Sequence, residues 1–123
     1  MSTDLTVRLV NQPGTLERAS DALGRAGINI EGACGYVCGA AGVYHVLVED
    51  ADRAQRALID AGLEIEANQP VAVTSVENQP GAAAAVLRRI AEANLNIDLL
   101  YMTVDGRLVL SGDDIAGIKR VLG

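Results

Sequence analysis

The tetrapeptide Asn11-Gln12-Pro13-Gly14 returns 67 positions later (78 − 11) as Asn78-Gln79-Pro80-Gly81, and no other feature of the chain is as suggestive of chemistry. Asn offers a carbonyl to an ammonium group and an amide to a carboxylate. Pro stiffens a turn, and Gly removes the side chain that would block close approach of another molecule. Where such a turn runs into a helix, the unpaired N–H groups and partial positive charge of the helix start suit an α-carboxylate. Asn-x-Pro-Gly is also sound turn chemistry with no ligand at all, so the residues leave both uses open.

Cys34, Cys38 and His45 are the other reactive side chains. On one strand the two sulfurs share a face, with Cα atoms ~13 Å apart at ~3.3 Å per residue, where a disulfide needs ~7 Å or less. Two Cys and one His without a Cys-x-x-Cys pair make a poor zinc set, so ordinary reduced thiols of a cytoplasmic protein are expected, with metal binding or redox sensing as the alternatives. His45, inside Tyr44-His45-Val46-Leu47-Val48, reads as a strand residue at a face or an interface. Gly32, Gly35, Gly39 and Gly42 are followed by neither the helix nor the Lys that a phosphate-binding loop requires. Nothing in the chain resembles a Ser-His-Asp order or a carboxylate pair near the turns, so the expectation is no catalytic residue, no metal and no cofactor.

The elements that must position the turns follow from periodicity. Residues 7–31 align with 74–98 without a gap, which marks two copies of one unit. Short β-branched runs at 5–10 and 71–77 read as first strands. After each Pro-Gly a helix is expected, with Leu16, Ala19, Leu23 and Ala26 on one face in copy one and Ala83, Val86, Leu87, Ile90 and Ala93 in copy two. Gly27 and Asn94 are the stops. Second strands are expected at 28–36 and 95–104, and third strands at 43–48 and 107–111. Asp105-Gly106 signals a two-residue hairpin, and copy one has a longer Gly-rich link at residues 39–42. Second helices are expected at 52–61, ending at Gly62, and at 113–122, with Ser111 and Asp114 in capping-box spacing. A fourth strand at 63–67 has no counterpart before Gly123.

This order, strand-helix-strand-strand-helix-strand, predicts an α+β chain of two ferredoxin-like βαββαβ units, residues 1–69 and 70–123, each an antiparallel sheet with helices on one face. The second unit lacks its last strand, which leaves strand 71–77 with an open edge, and an open edge predicts pairing in a homodimer. In composition, 50% of the 123 residues are hydrophobic and 16 acidic residues face 10 Lys and Arg, a net charge of −6. With no basic patch and three aromatic rings, nucleic acid is a poor partner. No apolar run approaches the ~20 residues that span a bilayer, and residues 1–10 do not read as a signal peptide.

A first strand ending in Asn-x-Pro-Gly, then a helix, then Gly27-Ile28-Asn29-Ile30 opening the next strand, resembles the ACT domain, a small ligand-binding module of amino-acid metabolism. Copy two keeps the pattern as Asn94-Leu95-Asn96-Ile97. The resemblance covers both copies and implies a non-catalytic, cytoplasmic regulatory protein that binds a free amino acid or related small metabolite where two ACT units meet. The implied ligand residues are Asn11, Gln12, Pro13, Gly14, Thr15 and Leu16 with Ile28, Asn29 and Ile30, and in copy two Asn78, Gln79, Pro80, Gly81 and Ala82 with Leu95, Asn96 and Ile97. A regulated protein partner fits the same reading. A structural or oligomerisation module without ligand, and a thiol-based sensor using Cys34 and Cys38, are the alternatives.

Overall fold

A computed structural model describes residues 2–123, which divide into two compact units, residues 2–69 and 70–123. The first unit runs β1 (Thr3–Val10), α1 (Thr15–Arg25), β2 (Gly32–Cys38), β3 (Ala41–Val48), α2 (Ala51–Asp60) and β4 (Glu64–Pro70, whose last residue opens the second unit). Its sheet has the order β2-β3-β1-β4. β3 is antiparallel to both neighbours, with Val10 opposite Ala41 and Cys38 opposite the same Ala41, so β1 and β2 point the same way. Leu5, Val7 and Leu9 alternate along β1 and join Val46 and Val48 of β3 in one core. Ala19 and Leu23 of α1 and Ala54 and Leu58 of α2 close that core from above, as one-turn spacing on an amphipathic helix requires.

The second unit runs β5 (Ala72–Ser75), α3 (Ala82–Glu92), β6 (Leu99–Met102), β7 (Arg107–Ser111) and α4 (Ile115–Leu122). Its three-stranded sheet has the order β5-β7-β6, and Ile90, Leu108, Leu110 and Ile118 form its buried centre with Ala72. β5 therefore lies at an edge, while β4 pairs with β1 and does not fold back onto β5.

Helix stops fall where residue chemistry places them. Gly27 has φ 74°, and the pair Ile28 N–H to Leu23 O (2.9 Å) and Gly27 N–H to Gly24 O (3.0 Å) is a Schellman closure. Asn94 repeats it at φ 58°, with Leu95 N–H to Ile90 O at 3.2 Å. In both closures the residue after the stop is apolar: Ile28 joins the core that holds Leu23, and Leu95 packs against the core that holds Ile90.

Three local expectations are corrected. The 39–42 link is a two-residue turn, because β3 begins at Ala41. The Asp105-Gly106 hairpin is longer than two residues: Thr103 N–H bonds Arg107 O at 2.8 Å around Val104-Asp105-Gly106, with Gly106 at φ 86° absorbing the extra residue. The cap of α4 is Asp114, whose carboxylate accepts from Gly117 N–H at 2.9 Å, and not Ser111, which lies in β7.

Candidate functional site

The turn after β1 is built by backbone bonds that need no large side chain. Gln12 N–H reaches back to Val10 O at 2.9 Å, and Gln12 O then accepts from both the N–H (3.4 Å) and the hydroxyl (3.1 Å) of Thr15. Gly14 at φ 90° is the N-cap of α1, and no side chain caps that end. Thr15 N–H is taken by Gln12 O, and the next N–H groups of the helix, those of Leu16 and Glu17, have no side-chain acceptor. The second unit repeats the arrangement, with Gln79 N–H on Glu77 O (3.0 Å), Ala82 N–H on Gln79 O (3.2 Å) and Gly81 at φ 86° without a side-chain cap. Ala82 lacks the hydroxyl that Thr15 uses.

In the first unit this turn forms one wall of a cavity of about 340 Å³. Asn11, Gln12, Pro13, Gly14, Thr15 and Leu16 all line it. The opposite wall is Gly35, Tyr36 and Val37 of β2 with Gly42 and Val43 of β3. Those residues have no motif of their own, and only the pairing of Cys38 with Ala41, and of Ala41 with Val10, places the far half of β2 beside the turn. Gly35 and Gly42 lower the floor: a Cβ on Gly35 would come within 3.7 Å of Leu16 and Tyr44 side chains, and one on Gly42 within 3.4 Å of Leu9.

Ile28, Asn29 and Ile30 do not share this cavity within the unit. Because β1 and β2 run in the same direction, the segment before Gly32 lies at the beginning of β1, roughly 23 Å of strand from the turn that follows its end. Asn29 lines a separate depression of about 430 Å³ with Glu31, Glu49, Asp50 and Arg53, while Ile28 is buried in the core and Ile30 packs against it. In the second unit Asn96, Leu95 and Ile97 line a depression of about 540 Å³ that includes Leu87, Ala91, Asp98 and Leu100, whereas Asn78, Gln79, Pro80 and Gly81 form an exposed turn outside that lining, with Ala82 opening α3.

His45 lies on β3 in a polar network. Its Nδ1–H donates to Asp4 Oδ2 at 3.0 Å, and Asp4 is wholly buried. The same carboxylate oxygen accepts from Gln69 Nε2 (3.1 Å) and Thr6 Oγ1 (3.3 Å). Nε2 of His45 is left toward Tyr36 Oη at 3.5 Å, with the two rings stacked at 5.9 Å between centroids. This is a satisfied structural network on one face of the sheet, reaching the cavity only through Tyr36. Cys34 is half-buried and Cys38 exposed on β2, and among the described residues no group of three His, Cys, Asp or Glu could hold a metal ion. No helix among the described residues is long and apolar enough to cross a membrane.

A family model described as an ACT domain pair matches residues 1–122. The chain belongs to the ACT domain pair family. Protein BT0572 from Bacteroides thetaiotaomicron has a similar structure, with 25% identity and a TM-score of 0.86 over 98% of this chain and 85% of that one. The ligand-free regulatory subunit of aspartate kinase from Thermus thermophilus gives 19% identity and a TM-score of 0.74 over 98% and 89%. The corresponding subunit from Thermus flavus gives 19% and 0.65 over 98% and 90%, so these two show a shared fold. The sequence matches no curated protein. The resemblance carried by Asn-x-Pro-Gly and Gly-Ile-Asn-Ile thus stands, as does the tandem ferredoxin-like fold that the order of elements predicts.

Proposed function

We propose that this ACT pair is a non-catalytic regulatory protein that binds a free amino acid in the cavity between the Asn11–Leu16 turn and β2. The observation that carries the reading is the coincidence of the repeated turn with a cavity beside a helix start that no side chain caps. There the α-carboxylate meets the N–H groups of Leu16 and Glu17 at the start of α1, and the side-chain carbonyls of Asn11 and Gln12 stand ready for the ammonium.

The cavity opens on the edge of the sheet. β2 has seven residues without a charge or a proline, and its second half, Gly35 to Cys38, is exposed. Bare, uncharged edges pair with other strands. An antiparallel pairing of β2 with the β2 of a second copy about a two-fold axis would set the second copy's Asn29 and Ile30 near the far end of β2, beside the turn. That arrangement reunites the two residue groups that one unit holds apart, and it makes a homodimer with the ligand at its contact.

The test is thermal unfolding with each amino acid at millimolar concentration, together with light scattering on gel filtration. A ligand at ~100 times its dissociation constant adds about 2.7 kcal/mol, which moves the melting point of units this small by several degrees. Gly35→Val fills the cavity floor at a backbone position without positive φ, and it is expected to erase the shift while the fold persists. A flat response to every amino acid refutes the ligand reading, leaving an assembly module if the mass is twice 12.8 kDa. A mass of 12.8 kDa with and without amino acid refutes the dimer.

A further inference from the structure

We propose that the cavity selects amino acids with an uncharged, apolar side chain, an inference that rests on the amino-acid reading above and narrows it. None of the thirteen residues that line the cavity is Asp, Glu, Lys, Arg or His. A charged ligand side chain would leave water there with no opposite charge to meet, only the neutral amides of Asn11 and Gln12, and poorly paired charge is the costliest group to desolvate. A hydroxyl fares little better. The Thr15 hydroxyl gives its proton to Gln12 O and keeps only acceptor capacity, and Tyr36 Oη is turned to His45.

What the cavity does offer is apolar surface awaiting cover. Leu16 and Val37, at 50% and 57% exposure, are large apolar side chains open to water on the helix-bearing face of the sheet, and both line this cavity. Burial of such surface is a favourable, non-directional term that rewards an aliphatic or aromatic side chain. The two glycines of the floor, Gly35 and Gly42, leave room for it beneath Leu16 and beside Leu9.

The other side of the same turn supplies a contrast. A second cavity, of about 420 Å³, shares Leu9, Val10, Gln12 and Thr15 but adds Arg8, Arg18 and Glu64. An acidic ligand would go there, with Arg18 as its partner.

The experiment is a calorimetric titration of the full chain with leucine, valine, phenylalanine, serine, aspartate, glutamate, lysine and arginine, repeated on Val37→Thr, Val37→Glu and Arg18→Ala. The expected result is that at least one of the three apolar amino acids binds tenfold or more tighter than every charged one. Val37→Thr weakens that binding severalfold, Val37→Glu shifts the preference toward lysine or arginine, and Arg18→Ala changes neither. A charged amino acid that binds tightest overturns the apolar selection and leaves the amino-acid reading intact; loss of aspartate or glutamate binding in Arg18→Ala would place that ligand in the arginine-lined cavity. No binding by any of the eight overturns the selection, and a flat thermal response across all amino acids overturns the reading beneath it.

Discussion

Replacing Asp4 by Ala is expected to be among the most damaging single changes in the first unit, although Asp4 touches no proposed ligand. Its carboxylate is at 0% exposure and accepts from His45 Nδ1 at 3.0 Å, Gln69 Nε2 at 3.1 Å and Thr6 Oγ1 at 3.3 Å. Gln69 is only part-buried and can turn its amide to water, so its share of the loss is small. His45 and Thr6 are buried at 6% and 7% exposure and cannot, although Thr6 Oγ1 lies 3.3 Å from His45 Nδ1 and keeps that contact. Loss of a hydrogen bond to a charged group costs about 1.5–3 kcal/mol, and one buried donor left without an acceptor adds about 1–3 kcal/mol. The expected total is therefore about 3–5 kcal/mol, the range for breaking a buried pair by removing one partner. Since a domain has about 5–15 kcal/mol in all, the unit would lose much of its stability. Urea unfolding followed by far-UV circular dichroism and tyrosine fluorescence measures it. With a slope of about 1.5–2 kcal/mol/M the midpoint falls by roughly 2 M. Asp4→Asn keeps the shape and one acceptor oxygen, so it should cost about 1–2 kcal/mol, the share of the charge alone. An Asp4→Ala midpoint within about 0.5 kcal/mol of the parent, or an Asn variant as damaged as the Ala one, would refute this account of the network.

Two further outcomes are expected from local geometry. Gly14 and Gly81 have φ of 90° and 86° with nothing within 4 Å of an added Cβ, so Gly14→Val and Gly81→Val should each lose about 1–2 kcal/mol through backbone strain and not through a clash; urea midpoints unchanged in both would refute it. At Asp105 the hydroxyl of Thr103, and after it the guanidinium of Arg107, hold the carboxyl below its ordinary value of 3.8. A group depressed on folding stabilises fully above its unfolded value and loses that contribution as pH falls through the lower folded value, so the effect is confined to pH below about 4. A carbon-detected titration should show the carboxyl below 3.8 in the parent and raised in Thr103→Val, and a titration at the ordinary value in both would refute the assignment.

Much of the fold was legible in the residues because its determinants are local. The repeated Asn-Gln-Pro-Gly sets a turn by backbone preference alone, and the stops at Gly27 and Asn94 follow from the left-handed conformation that few residues accept. Alternation of Leu5, Val7 and Leu9 against the one-turn spacing of Ala19 and Leu23 fixes which faces meet, since each apolar stripe must be covered. Such signals lie within a few residues of what they decide, and the tandem pattern followed from them.

What only the tertiary structure decided is the composition of the site. Gly35, Tyr36 and Val37 carry no motif, and they face the turn because the register sets Cys38 and Val10 opposite one Ala41. Within one unit Asn29 stands apart from Asn11 for the same reason: two strands that flank a common antiparallel partner run alike, so the start of one cannot lie beside the end of the other. His45 is likewise mute in sequence, since its buried acceptor Asp4 stands 41 residues away. Strand register is a long-range choice set by the whole apolar face at once, and no window of neighbouring residues contains it.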